Sequence, residues 1–339
     1  MGKTPIELHN KIFYHPDKIK DLLNKGETIP ITWELDTTNM CNHNCIGCKD
    51  IGAGGRSNND SLTYEEAKNY TNQIVEIGSK AITITGGGEP LMNNNTPKII
   101  EYIKSKGLDV AIITNGTLLN DESIDIIVKN CTWVRISIDA GDSKTYKKVR
   151  NVPEHYFKLA FENMEKLVKR KKELKSTITI GSSFLTSEIT IPSLVKYTKK
   201  CKKSGVDYIQ IRTYHRNYIV PYNITEVKSL EDDNFKIYYS DNKYKKDYKK
   251  TYQKCLAYSL SGVINVHSVY ICCHFRGIEN KKLGDLRENT LLEIWYSERK
   301  NNIIKNLNIK KCLPNCRLDL VNQEIHKLIY NDIQHKNFI

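Results

Sequence analysis

The stretch Ile31-Thr-Trp-Glu-Leu-Asp36, followed shortly by Cys41-Asn-His-Asn-Cys45-Ile-Gly-Cys48, decides how the chain is read. The first six residues have the length and side-chain types of a buried strand closed by an acid. The loop after them sets three thiols at CxxxCxxC spacing. Three thiolates this close can hold three irons of a cubane and leave the fourth iron to an external molecule. Zinc is the alternative, but a structural zinc site takes four ligands. The nearby His43 lies inside the loop, where reaching one ion together with all three thiols is difficult.

Further strand-like runs follow at Ala81–Thr85, Asp109–Thr114, Trp133–Asp139, Thr177–Phe184 and Tyr208–Tyr214. Helical periodicity lies between them at Thr63–Ile77, Pro97–Lys106, Asp121–Lys129, Tyr156–Leu174 and Ile191–Lys203. Six strands alternating with helices imply parallel βαβ units. A partial (β/α)6 barrel fits better than a doubly wound sheet. Its chemistry collects at the C-terminal ends of the strands, where the cysteine loop stands. The expected division is an N-terminal extension over 1–30, the barrel over 31–214, a helical bridge over 215–254 and a small cysteine-rich domain over 255–339. That last domain reads as a hairpin (Val263–Asn265 with Val269–Cys273), a helix near Leu291–Asn306 and a closing helix near Leu320–Gln334.

The chain has 339 residues and a formal net charge of +13. A core of that size needs no disulfide staples. The charge suits either a lysine-rich solvated surface or an anionic partner. Lysines and tyrosines interleave over 243–254, a composition that also occurs in single-strand nucleic-acid binders, yet no nucleic-acid motif accompanies them. No secretory signal and no run of about 18 apolar residues is present. The expected location is the cytoplasm, where ten cysteines point to metal or cluster ligation and not to disulfides.

On the cysteine loop, the chain resembles the radical S-adenosylmethionine (radical SAM) superfamily. The resemblance runs motif by motif over residues 31–214 and extends in part to the C-terminus. It implies a [4Fe–4S] cluster on Cys41, Cys45 and Cys48, reductive cleavage of S-adenosylmethionine to a 5′-deoxyadenosyl radical, and hydrogen abstraction from a substrate. Thr85-Gly-Gly-Gly-Glu-Pro90 follows the second strand. A glycine run allows close backbone approach, and the resemblance gives Gly86, Gly87, Gly88 and Glu89 the ammonium group of the ligand. Alternation places Arg135, Ser137 and Asp139 on one face of the fourth strand. The family uses this position for ribose hydroxyls, which nominates Ser137 and Asp139. An N-cap is the other use of Asp139. Ser183, beside Ser182 on the fifth strand, matches a position that often contacts the ligand's carboxylate. Asn115 ends the third strand beside the expected active site, and Arg212 on the sixth is placed to pair with a carboxylate or phosphate. One departure from the family is Gly47, where an aromatic residue usually packs on adenine. Ile46 is the local substitute.

Cys255, Cys272 and Cys312-Leu-Pro-Asn-Cys316, with Leu283-Gly-Asp-Leu286 and Leu291-Leu-Glu-Ile-Trp295, resemble the auxiliary-cluster domains called SPASM and twitch. Four cysteines close one further [4Fe–4S] cluster, so the shorter twitch form is expected. Cys273 adjoins Cys272 as an alternative ligand, and a zinc knuckle is the simpler metal site. Cys131 and Cys201 read as small buried residues.

The resemblance therefore implies an enzyme that oxidises, epimerises or rearranges a small polar or anionic metabolite such as a sugar or nucleotide derivative. It would be reduced by a low-potential donor of flavodoxin or ferredoxin type. The alternative substrate is a ribosomal peptide, although about 30 residues before the first strand are few for a leader-binding domain. A non-catalytic iron–sulfur or zinc protein that binds nucleic acid is the alternative of another class. It leaves the glycine run without a reason.

Overall fold

The computed structural model describes residues 10–48, 59–214, 222–240, 249–313 and 316–330. A first helix, α1 (Pro16–Lys25), precedes the alternation. β1 (Thr32–Asp36), α2 (Tyr64–Glu76), β2 (Ala81–Thr85), α3 (Thr96–Ser105) and β3 (Asp109–Thr114) follow. Then come α4 (Asp121–Asn130), β4 (Trp133–Ser137), α5 (Ser143–Arg150), α6 (His155–Glu173), β5 (Thr179–Thr186), α7 (Leu194–Ser204) and β6 (Tyr208–Thr213). Local chemistry sets several of the helix starts. Thr63 and Glu66 exchange hydrogen bonds in a capping box ahead of α2, and Asn120 and Ser123 do so ahead of α4. Asp142 caps α5 through the Thr145 amide, so Asp139 is not the cap of that helix.

The bridge expected over 215–254 differs from a helix. Within its described part lie one helical turn, α8 (Thr225–Lys228), and a seventh strand, β7 (Lys236–Tyr239), parallel to β6. Lys-Ile-Tyr-Tyr is short, and its surroundings are so polar that only pairing with β6 reveals it. Residues 243–248 of the lysine–tyrosine run lie outside the described residues.

The remaining elements are β8 (Ser261–Asn265), β9 (Ser268–Tyr270), β10 (Gly284–Asp285), α9 (Leu291–Trp295), α10 (Glu298–Lys305) and α11 (Asp319–Tyr330). The hairpin of β8 and β9 does not stand apart. β8 runs parallel to β1, with Thr32 opposite Ser261 and Asp36 opposite Asn265. One sheet therefore takes in ten strands, in the order β10-β9-β8-β1-β2-β3-β4-β5-β6-β7.

Register fixes the two faces of this sheet. Trp33, Leu35, Ile82, Ile84, Val110, Ile112, Val134, Ile136, Ile209 and Ile211 are buried under the helices. The opposite face carries Glu34, Asp36, Thr83, Thr85, Arg135, Ser137, Ser183, Gln210 and Arg212, which face one another across paired strands. This inner face is the lumen of an open barrel. Arg212 on β6 lies within electrostatic reach of Cys273, just beyond β9, and of Arg317.

The C-terminal part is joined to the barrel at two further places. Trp33 meets Trp295 of α9 edge-on, with ring centroids 5.3 Å apart. Gly262 of β8 makes room for that packing, since a β-carbon there would stand 2.2 Å from the Trp33 ring. A second small core unites Ile12 and Leu22 with Leu256, Leu260, Val321 and Ile325, so α1 packs with α11. Cys131 and Cys201 are buried, as their solitary positions suggested.

Candidate metal-cluster site

The loop after β1 carries Cys41, Cys45 and Cys48 to the C-terminal rim of the barrel, all three partly exposed and none in a disulfide. Backbone bonds hold it on both sides. The Asn44 and Ile46 amides donate to Arg150 and Val149 carbonyls at the end of α5. The Glu89 amide donates to the Met40 carbonyl at 2.8 Å, and the Gly88 amide to Thr38 at 2.9 Å. The glycine run thus lies directly against the cysteine loop. A β-carbon on Gly88 would stand 1.8 Å from the Met40 carbonyl oxygen, and one on Gly86 1.8 Å from that of Gly88. Crowding by backbone explains these two glycines by itself.

His43 turns away from the thiols. Its Nε2 meets the Tyr146 hydroxyl at 3.0 Å, and its Nδ1 meets Asn42 and Asn115, each at 3.1 Å. The Asn115 side chain is also engaged. It donates to Asn42 Oδ1 at 2.8 Å and accepts from the Thr117 amide and hydroxyl. Asn115 therefore holds the cysteine loop in place. The substrate contact expected of it finds no unused hydrogen-bonding atom.

Glu89 is buried beneath the same loop. Its Oε1 accepts from Thr114 Oγ1 at 2.6 Å and from the Leu91 amide, and its Oε2 accepts from the Asn115 amide at 2.7 Å. These donors are all neutral. Burial pushes the carboxyl above its usual range despite them. Oε2 retains acceptor capacity, and a cation there would restore the charge.

Arg150, which the sequence reading passed over, joins three parts of the site. Its Nη2 pairs with Asp139 Oδ2 at 2.8 Å, its Nη1 lies 3.4 Å from Cys45 Sγ, and its Nε donates to the Ile138 carbonyl. Burial opposes its charge, but Asp139 and Cys45 more than offset that and hold the guanidinium protonated. Asp139, in left-handed backbone at φ 59°, also accepts from the Leu185 amide at 2.8 Å. Both oxygens of Asp139 thus serve the protein. Ser137 and Ser183 stand on neighbouring strands with hydroxyls 3.5 Å apart. They are the lumen hydroxyls nearest that carboxylate in register, whereas Ser182 donates to the Ile136 carbonyl on the other face.

A second thiol group lies beyond β8. Cys255, Cys272, Cys312 and Cys316 all line one cavity of about 290 Å³, walled by Ile271, Phe275, Leu307 and Ile309. Cys273 does not line it. Its thiolate is favoured by a hydrogen bond from Cys272 and by the nearby Arg317 guanidinium.

The donor sets can be tested against zinc. Zinc–sulfur bonds of about 2.3 Å place tetrahedral thiolates about 3.8 Å apart. Among the described residues, only Cys272, Cys273 and His274 form a trio of His, Cys or acidic side chains with all ligand atoms within 4.8 Å. Neither Cys41, Cys45 and Cys48 nor any three of the cavity cysteines meet that limit. Neither set is drawn in to a single ion, and an all-thiolate donor set is the chemistry that holds iron–sulfur clusters. The residues fit such clusters.

The α/β fold, with three thiols on the barrel rim and four around one cavity, defines an iron–sulfur protein of the partial-barrel class. Two family models match the chain: the Radical SAM superfamily over residues 35–189, and SPASM, an iron–sulfur cluster-binding domain, over residues 262–317. Residues 35–189 therefore carry a radical SAM domain and residues 262–317 a SPASM-type domain. Those domains imply a [4Fe–4S] cluster with S-adenosylmethionine, and auxiliary iron–sulfur binding. Among curated proteins, the chain is 35% identical over 124 residues to an AdoMet-dependent heme synthase of Methanosarcina barkeri, covering 36% of this chain and 34% of that protein. It is 28% identical over 204 residues to a probable GTP 3′,8-cyclase of Methanocaldococcus jannaschii, covering 58% and 64%. These matches span between a third and two thirds of the relatives' lengths. Among solved structures, it is similar to Streptococcus suis SuiB bound to precursor peptide SuiA, with TM-score 0.65 at 15% identity over 95% of this chain and 77% of that one. It is also similar to anSMEcpe with bound AdoMet and Cp18Cys peptide, with TM-score 0.57 at 16% identity over 87% and 88%. At such identities the likeness is one of fold. No helix among the described residues is long and apolar enough to cross a membrane.

Proposed function

We propose that the protein is a radical SAM enzyme that abstracts a hydrogen atom from a small polar or anionic metabolite held in the barrel lumen. The observation that carries this reading is the three-thiol loop, whose nearby histidine is turned away and which opens on the same polar lumen as Ser137, Ser183 and Arg212. Cys41, Cys45 and Cys48 would hold three irons. When bound, the cluster and S-adenosylmethionine supply a 5′-deoxyadenosyl radical from one external electron. Glu89 presents a buried carboxylate to the ligand's ammonium group, and the glycine run lets the ligand approach the backbone. Arg150 fixes the position of Cys45 and of Asp139. Ser137 and Ser183 offer hydroxyls to the ribose and carboxylate. Cys255, Cys272, Cys312 and Cys316 would enclose one auxiliary cluster, leaving Cys273 outside it.

A metabolite is favoured over a peptide by the charge of the lumen, and one curated relative is named for GTP, itself an anion. Thiols kept reduced for cluster binding suit the cytoplasm, and a flavodoxin- or ferredoxin-type protein would serve as donor. The test is anaerobic reconstitution with iron and sulfide, followed by dithionite and S-adenosylmethionine. 5′-Deoxyadenosine is expected from the native chain and not from Cys41→Ala. Equal amounts from both would end the proposal.

A further inference from the structure

Apart from Glu89, the carboxylates described above on the inner face of the barrel are already paired. Glu34 is bridged by Arg276 and Arg317, Asp36 pairs with Arg276 at 2.6 Å, and Asp139 pairs with Arg150. Two further guanidinium groups stand on the same face, Arg135 of β4 and Arg212 of β6. Among the described residues neither forms an ion pair. Arg135 donates through Nη1 to Gln210 Oε1 at 2.9 Å and lies over the Trp133 ring at 5.5 Å. Those contacts fix its direction without neutralising it. The Nε atoms of both arginines are buried and lack a hydrogen-bond partner. Burial and the neighbouring Arg135 pull Arg212 down to about 10, so the two like charges repel across the lumen.

A buried donor without an acceptor is costly, and a buried charge without a counter-charge more so. Two such groups facing one chamber call for a ligand that supplies both. A guanidinium edge with Nε–H free matches a planar or tetrahedral oxyanion with two parallel hydrogen bonds. The two stand at different depths. Arg135 precedes Ser137 by two residues, so its backbone lies about 7 Å further from the rim along the strand, whereas Arg212, opposite Leu185, lies two residues nearer the rim than Ser183.

We propose that Arg135 and Arg212 form the receptor for an oxyanion group, carboxylate or phosphate, on the substrate. This rests on the reading of the lumen as the substrate chamber. It extends that reading by assigning the residues that select an anionic substrate.

The experiment uses the full chain with its clusters reconstituted and without reductant, so that no turnover is needed. Inorganic pyrophosphate and succinate are titrated calorimetrically, with and without saturating S-adenosylmethionine. At least one probe should bind in both conditions, and Arg212→Gln and Arg135→Gln should each weaken it about tenfold or more. Preference for pyrophosphate marks a phosphorylated substrate, and preference for succinate a carboxylate. Binding that both variants leave unchanged would overturn the assignment, as would no binding of either probe. Competition by S-adenosylmethionine would also overturn it, since the pair would then serve that ligand's own carboxylate. Should a variant lose its iron, phenylglyoxal labelling of the native chain decides: the probe must protect Arg135 and Arg212, and failure to protect them ends the proposal. Because binding is read directly, this result is independent of whether 5′-deoxyadenosine forms.

Discussion

The ring of Tyr214 lies against the backbone of Gly47, so closely that a β-carbon on the glycine would stand 1.7 Å from the tyrosine Cε1. An aromatic side chain thus does cover the cysteine loop, but it arrives from the end of β6. Gly47→Ala must push this ring aside, and overpacking of this kind costs about 1–3 kcal/mol. Tyr214→Ala opens the space. The two changes should therefore be non-additive, with the double variant more stable than the sum of the single losses allows. Thermal unfolding of the four proteins measures this coupling, and strict additivity would mean that ring and glycine do not touch.

Arg150→Met should be among the most damaging single changes outside the cysteines. It leaves Asp139 buried with its Leu185 bond but without its counter-charge. Breaking one side of a buried pair costs about 3–5 kcal/mol. It also frees the cysteine loop from the guanidinium beside Cys45. The expected result is a lowered melting temperature together with reduced iron uptake at the N-terminal cluster. Arg150→Lys should recover part of the stability and little of the Cys45 contact, because a single ammonium cannot reach three partners at once.

Glu89 predicts a pH dependence. Burial raises its free-state pKa, and an ammonium ligand would lower it, so binding of S-adenosylmethionine releases a proton from the fraction of Glu89 that is protonated. Affinity is full above the raised pKa and is lost as pH falls through it, by up to about tenfold per pH unit. Titration calorimetry in buffers of differing ionisation heat counts the proton. Glu89→Gln should bind more weakly and flatten the profile. A native affinity that strengthens as pH falls would contradict the role.

The auxiliary site separates two adjacent thiols. Cys272 lines the 290 Å³ cavity with three other cysteines, whereas Cys273 does not line it and its thiolate is favoured by Cys272 and the Arg317 charge. Reconstituted native protein should carry about eight irons. Cys272→Ser should lower the count towards four, and Cys273→Ser should leave it near eight. Equal losses from the two variants would show that both thiols are needed, and two counts near eight that either can serve.

Much of the barrel was legible in the sequence because its signals are local. Trp-Val-Arg-Ile-Ser over Trp133–Ser137 alternates cleanly, since one face meets helices and the other a polar lumen. The expected bounds of β2 and β3 match the structure for the same reason. What escaped depends on partners far along the chain. α5 offers few apolar positions, so nothing local in Lys147-Lys-Val-Arg150 marks a functional residue, and only its return to Cys45 gives Arg150 meaning. Asn115 looked like a substrate contact because its partners, Asn42 and His43, are more than seventy residues away. The assignment of the late hairpin to the barrel sheet was invisible for a similar reason: nothing in Ser261–Asn265 says which strand it will meet.

That hairpin has a consequence for how the protein is made. β1 is paired on one side by β2 and on the other by β8, and Asp36 bonds to an asparagine 229 residues later. At about 5–20 residues per second, a ribosome takes roughly 10–50 seconds to cover that distance. For that interval the nascent chain presents an unpaired strand edge, with the cysteine loop attached to it. The late residues therefore bear on the first cluster site apart from any iron they hold, by closing the sheet from which that loop hangs.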